Sequence, residues 1–194
     1  YGAVHGLKSW HHLSSKNLID WQDQGPSLQP HSPYSTHGVY SGSALPIKDR
    51  LFLMYTGNVR ADNNLRISRQ LGAWMTPNNK ITELKEPLIE QPEGYTSHFR
   101  DPQILAINNQ YYALIGAQRQ DKTGHILIYQ AEQPEGPWTL RGPLDLGYDY
   151  LGYMIECPNL AFVDDKIVLI FCPQGMSKNH LQYDNIFPNV YIIA

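Results

Sequence analysis

One pattern recurs three times along this chain, and it limits the fold more than any other feature. Tyr40 to Tyr55 reads YSGSALPIKDRLFLMY, Arg100 to Ile115 reads RDPQILAINNQYYALI, and Glu156 to Phe171 reads ECPNLAFVDDKIVLIF. Each is an apolar run, a two-residue polar turn and a second apolar run. The turns are Lys48-Asp49, Asn108-Asn109 and Asp164-Asp165, at intervals of 60 and 56 residues. Short polar turns between β-branched and aromatic runs predict hairpins. A second motif keeps the same phase: WQDQGP at Trp21–Pro26 is echoed by TELKEP at Thr82–Pro87 and WTLRGP at Trp138–Pro143, at intervals of 61 and 56. Further strand-like runs, such as Leu65 to Met75 and His125 to Ala131, precede the later copies.

The repeating unit is thus about four strands, the signature of a β-propeller, although ~40–50 residues per blade is commoner. A β-sandwich would also show short strands, but not two matching motifs in phase. The reading is an all-β chain holding the tail of one blade (1–30), two whole blades (38–91 and 98–148) and the start of a fourth (153–194). The only stretch with helical character, Ser15 to Trp21, reads better as a turn before a strand. A propeller closes on itself to protect its edges. These blades are too few to close, so residues 1–194 are expected to be a fragment of a single propeller domain, with Tyr1 an internal cut.

Composition removes several function classes. Charged residues make up only 17% of the 194 residues, against 42% hydrophobic and 11% aromatic, which argues for a folded core rather than disorder. A net charge of −3 leaves no electrostatic footprint for nucleic acid or an anionic membrane, so neither is an expected partner. The longest apolar run, Ile167 to Cys172, is far too short to span a bilayer. Cys157 and Cys172 read as two buried free thiols of a cytoplasmic protein; their spacing suits neither a disulfide scaffold nor zinc. Of eight His residues, His11 and His12 point to opposite faces of a strand, and His31, His37, His98 and His180 show no metal-binding spacing. Exposed or hydrogen-bonded roles are expected, with no metal and no cofactor.

In a chain so poor in charge, Arg100, Asp101 and Glu156 stand out. They lead strands that should otherwise be buried, at the entry to the inner strand of a blade. Register places Tyr40, Arg100 and Glu156 at one level, and Ser41, Asp101 and Cys157 at the next. Equivalent positions of successive blades converge on the propeller axis, so residues far apart in sequence can share one pocket. A charge there costs several kcal/mol unless paired or used. A structural Arg–carboxylate pair and a functional site both meet that demand.

At Phe99-Arg100-Asp101-Pro102-Gln103 and Glu156-Cys157-Pro158 the sequence resembles glycoside hydrolase family 32, the invertase-like β-fructofuranosidases. Trp10-His11-His12-Leu13-Ser14-Ser15-Lys16-Asn17-Leu18 with Trp21 resembles the family's W-x-H-x-x-S-x-D-L-x-x-W stretch, with Asn17 where Asp is usual. Tyr40-Ser41-Gly42-Ser43 and Tyr55-Thr56-Gly57-Asn58 are similar to its F-S-G-S and Y-T-G-N. Gly2-Ala3-Val4-His5-Gly6, Pro173-Gln174-Gly175, Tyr183 and Asn185 resemble its bacterial sucrose-6-phosphate hydrolase branch. The resemblance runs in order along essentially the whole chain.

The resemblance implies a five-bladed propeller, about three blades of it present here, and a C-terminal β-sandwich that lies outside this chain. It implies retaining cleavage of the β-D-fructofuranosyl bond of sucrose 6-phosphate or sucrose, a small sugar substrate. Glu156 would be the acid/base, with a raised pKa in an enclosed pocket lined by Tyr and Met. Asp101 would hold fructose hydroxyls and stabilise the transition state, Arg100 would orient sugar and carboxylates, and Tyr40, Ser41 and His5 would line the pocket. The family nucleophile, the Asp of W-M-N-D-P-N-G, has no counterpart: Trp74-Met75-Thr76-Pro77-Asn78 lacks a carboxylate and falls in phase with an outer hairpin turn. By itself the chain is therefore expected to be inactive. The alternatives are a non-catalytic carbohydrate-binding propeller and a fructan- or arabinan-active relative.

Overall fold

The computed structural model describes residues 7–177 and 185–194. Among them there is no helix, and thirteen strands form four antiparallel sheets. β1 (His11–Ser15) pairs with β2 (Trp21–Pro26). β3 (Val39–Ile47), β4 (Arg50–Arg60), β5 (Arg66–Met75) and β6 (Ile81–Glu83) form a four-stranded meander. β7 (Tyr95–Ile107), β8 (Gln110–Arg119), β9 (Gly124–Ala131) and β10 (Thr139–Pro143) repeat it, and β11 (Met154–Val163), β12 (Lys166–Gln174) and β13 (Val190–Ile193) form the last sheet. The sequence reading of one tail, two whole units and a partial one matches this division.

The predicted turns close their hairpins. Ile47 pairs with Arg50, Ile107 with Gln110, and Val163 with Lys166. Asn108 and Asn109 both take positive φ, as the commonest two-residue hairpin turn requires, and Asn tolerates it best after Gly. Ser15 to Trp21 is a turn, not a helix. Asn17 Oδ1 accepts hydrogen bonds from the backbone N–H groups of Ile19 and Asp20 at 3.0 and 2.9 Å, and Ser15 Oγ accepts one from Leu18.

The sheets stack face to face, and their middle strands are buried on both sides. In β4, Phe52 and Met54 pack with Ile89, Phe99, Ile104 and Ile115, while Leu53 and Tyr55 pack with Leu28, Val39 and Leu71. Alternate residues thus serve two different cores, which is why the strand reads as an unbroken apolar run. β8 repeats the device: Ala113, Ile115 and Ala117 face the previous sheet, and Leu114 joins Ile155, Leu169 and Phe171 of the next.

The first strands of successive sheets lie side by side and are stitched at equivalent positions. Ser43 Oγ accepts from Ile104 N–H at 2.8 Å. Sixty residues on from Ser43, Gln103 Oε1 accepts from Leu160 N–H at 2.6 Å and its Nε2 donates to Leu160 O at 3.0 Å. These strands share one further feature. Opposite a single partner residue, β3 carries two (Tyr40 and Ser41), β7 two (Asp101 and Pro102) and β11 two (Cys157 and Pro158). Each is a β-bulge at the same end of its strand.

Seating β11 requires small residues. A Cβ at Gly116 would lie 2.1 Å from Ile155 O, and one at Gly124 would lie 2.8 Å from Met154 C. Backbone, not a flexible side-chain tip, is what it would strike. Gly116→Ala should therefore push β11 away from β8 and destabilise the protein by about 1–3 kcal/mol, as overpacking does. A urea midpoint unchanged from wild type would show that the two sheets can separate without cost.

Candidate active site

The three bulges open onto one pocket of about 570 Å³, lined by Lys8, Ser9, Trp10, Val39, Tyr40, Ser41, Arg60, Arg66, His98, Arg100, Asp101, Glu156 and Cys157. Tyr40, Ser41, Arg100, Asp101 and Glu156, singled out in the sequence, therefore share one cavity. His5 lies outside the described residues, as do Tyr183, His180 and the Gly2–Gly6 stretch. The register needs one correction. The bulge of β3 sits one residue further from its turn than those of β7 and β11, so Tyr40 occupies the bulge position of Asp101 and Cys157, and Val39 that of Arg100 and Glu156. Counting from the turns missed this because β3 runs six ladder pairs between bulge and turn (Gly42 to Ile47), whereas β7 and β11 run five (Gln103 to Ile107 and Asn159 to Val163).

Arg100 binds the cluster together. Its Nε donates to Glu156 Oε1 at 2.9 Å, and Nη2 donates to the same oxygen. The same Nε lies 3.9 Å from Asp101 Oδ2. Two oxygens at 2.9 and 3.9 Å from one nitrogen are at most 6.8 Å apart, although 55 residues separate Asp101 from Glu156. Arg100 and Asp101 are 8% and 7% exposed, while Glu156 is half-buried and faces the pocket.

Asp101 is held by both neighbouring sheets. Its backbone N–H donates to Thr56 Oγ1 at 2.9 Å; Thr56 in turn donates to Gln70 Oε1 at 2.8 Å, and Gln70 Nε2 donates to Phe99 O. From the other side, Cys157 N–H donates to Asp101 Oδ2 at 3.2 Å and the thiol approaches the same oxygen at 3.6 Å. Asp101 and Cys157 take φ of 63° and 49°, the left-handed region. Non-glycine residues there cost of order 1–3 kcal/mol, strain that persists only where surroundings enforce it. Its recurrence at two equivalent bulges ties the strain to the pocket.

Burial pushes the Asp101 carboxyl above the usual carboxylate range; Arg100 opposes this, Glu156 adds to it, and the two bonds from Cys157 oppose it. Partial burial and the adjoining Asp101 push the Cys157 thiol up to about 12, so it stays protonated. Both cysteines are free as expected, but neither is buried: Cys157 exposes surface at the pocket wall and Cys172 is half-buried. The bulge explains this, since it turns residue 157 out of the apolar layer. His98 accepts a hydrogen bond from Arg100 Nη1 at its Nδ1, 3.0 Å away, which places its proton on Nε2. Burial, then Arg100 and Arg66, hold its pKa below the usual value, against a weaker pull from Glu156.

Sequence reasoning missed Lys8, Arg60, Arg66 and the second hydrogen bond on Glu156, which Gln174 Nε2 donates to Oε2. The isolated charges at Arg60 and Arg66, flanking a polar loop in a chain poor in charge, were the available signal. The expected lining of Tyr and Met is half right: Tyr40 is present, but no Met is, and cations take that place. Trp74–Asn78 lies at the outer end of β5, away from the pocket. Among the described residues no three potential metal ligands gather, and no helix is long and apolar enough to cross a membrane.

Comparison with known proteins gives this geometry a context. Residues 1–194 match the Glycosyl hydrolases family 32 N-terminal domain. The chain is 52% identical over its full length to a sucrose-6-phosphate hydrolase of Pediococcus pentosaceus, of which it covers 39%, and 48% identical to one of Streptococcus mutans, of which it covers 41%. It thus spans about two-fifths of the curated relatives it matches. Its fold superposes on the structure of a Lactobacillus gasseri sucrose-6-phosphate hydrolase with a TM-score of 0.94 at 48% identity, covering 99% of this chain and 39% of that one. A Bombyx mori family 32 β-fructofuranosidase, solved as a point mutant in complex with sucrose, superposes with a TM-score of 0.80 at 29% identity, covering 95% of this chain and 39% of that one. The sheets described above are accordingly blades of a β-propeller, and the chain belongs to glycosyl hydrolase family 32, in its N-terminal domain.

Proposed function

We propose that this chain is the larger part of the catalytic propeller of a retaining β-fructofuranosidase that cleaves sucrose 6-phosphate or sucrose. The observation that carries the reading is the Arg100 fork, which draws carboxylates from two adjacent blades into one open pocket. The named activity of the relatives, and the sucrose bound by the Bombyx mori protein, support the choice of substrate. The full propeller has five blades, about three of them in these residues, and a C-terminal β-sandwich follows it in the whole protein. The protein works in the cytoplasm, where its sugar phosphate is kept.

Each residue has a part in this mechanism. Glu156, half-buried at the pocket wall, gives a proton to the oxygen leaving the fructosyl carbon and later takes one from water. Arg100 and Gln174 hold one carboxyl oxygen each, so the carboxyl plane is fixed before substrate arrives. Asp101, aimed by its strained bulge, accepts hydrogen bonds from fructose hydroxyls and offsets the positive charge of the oxocarbenium-like transition state. Tyr40 and Ser41 shape the sugar pocket, and His5 is assigned the same role. The nucleophile is an aspartate of a W-M-N-D-P-N-G stretch, which does not occur in the 194 residues. His98 matters through Arg100: as a neutral acceptor it pins one arm of the fork.

In the full-length protein, Glu156→Gln should lower sucrose turnover by about 10²–10⁴-fold, and much less for an aryl fructoside whose leaving group needs no proton. Equal losses on both substrates would remove Glu156 from the acid role. The 194 residues alone should hydrolyse neither sucrose nor its 6-phosphate; turnover by the isolated chain would place the nucleophile within it. A third test concerns pH. His98 has a folded pKa depressed from 6.5, so the unfolded chain takes up the proton first, and the stability it contributes above pH 6.5 is lost as pH falls toward the folded value. Thermal unfolding of wild type should therefore drop between pH 7.5 and 5.5 by more than that of His98→Asn, which keeps an acceptor but cannot titrate. Parallel pH profiles would show that His98 titrates alike in both states.

A further inference from the structure

The pocket holds more positive charge than its carboxylates can use. Lys8, Arg60, Arg66 and Arg100 line it, against Asp101 and Glu156. Arg100 is committed to both carboxylates. Arg60 spends Nη1 on Asn64, at 3.3 Å from its backbone oxygen and 3.1 Å from Oδ1, neither of them charged. Arg66, at the start of β5, is half-buried. Among the described residues it has no carboxylate within salt-bridge distance and no hydrogen-bond acceptor. Burial, then the facing Arg100 and Arg60, disfavour its charge, opposed by Tyr40 and Glu156.

A half-buried guanidinium costs free energy unless an anion meets it. A neutral disaccharide would not repay that cost; a dianionic phosphoryl group would, since a planar fork and two further cations can share its oxygens. We propose that Arg66, with Arg60 and Lys8, forms an anion subsite that takes the phosphoryl group of a phosphorylated fructoside. The inference rests on the fructosidase reading above and deepens it.

The test uses the full-length protein and compares kcat/KM for sucrose 6-phosphate with that for sucrose. Arg66→Gln should lower the ratio of the two about 10- to 100-fold, the range expected for charge-assisted hydrogen bonds. Arg66→Lys, which keeps the charge but loses the fork, should lower it less, and Arg60→Gln should lower it in the same direction. Losses equal on both substrates, leaving the ratio unchanged, overturn the proposal. If wild type hydrolyses neither sugar, the fructosidase reading fails and calorimetric titration with inorganic phosphate decides the subsite. Phosphate binding that Arg66→Gln weakens then upholds it; phosphate binding that is absent, or equal in the two proteins, overturns it.

Discussion

Face-to-face packing of the sheets governs the rest of this structure. β4 and β8 carry apolar side chains on both faces, so each blade needs a neighbour on either side and cannot satisfy its core alone. That demand sets how closely adjacent first strands approach, and the approach is tight enough that Gly116 and Gly124 leave no room for a Cβ against Met154 and Ile155. The residue that follows Ile155 is Glu156. The packing that fills the core therefore also sets the position of a carboxylate.

The bulges convert this scaffold into a site. A regular strand would alternate Arg100, Asp101 and Pro102 between the two faces and send one of them into an apolar layer. The extra residue re-aims Asp101 so that its carboxylate meets the Cys157 N–H of the next blade, while its own N–H meets Thr56 of the previous one. The cost is left-handed backbone at Asp101 and Cys157. Thr56 and Gln70, both fully buried, make the compensating hydrogen bonds beneath it. Strands, not loops, thus supply Arg100, Asp101 and Glu156, and a rigid frame suits an electrostatic task better than a mobile one.

Charge in the pocket is arranged in two parts. Arg100 offsets the mutual repulsion of Asp101 and Glu156, and His98, neutral and accepting, turns the remaining arm of the guanidinium. Arg60, Arg66 and Lys8 lie outside that balance. In the proposed function the inner cluster is assigned to glycosidic cleavage, and the surplus cations to a substrate that brings its own negative charge.

The sequence alone determined the all-β class, the fourfold strand unit, the positions of the three hairpin turns and the convergence of Arg100, Asp101 and Glu156. These are legible because a repeat is local: each copy carries its own apolar alternation and its own turn. The family motifs added roles that spacing could not supply. Only the tertiary structure decided the bulges, the one-residue offset of Tyr40 against Arg100, the exposure of Cys157, the entry of Arg60, Arg66 and Lys8 into the pocket, and the bond from Gln174 to Glu156. A bulge is a choice between ladder registers made by neighbouring blades, and Gln174 reaches Glu156 only through the pairing of β11 with β12. Charges that fall outside the repeated motif leave no trace of which cavity they face until the sheets have packed, because that direction is set by contacts between residues distant in the chain.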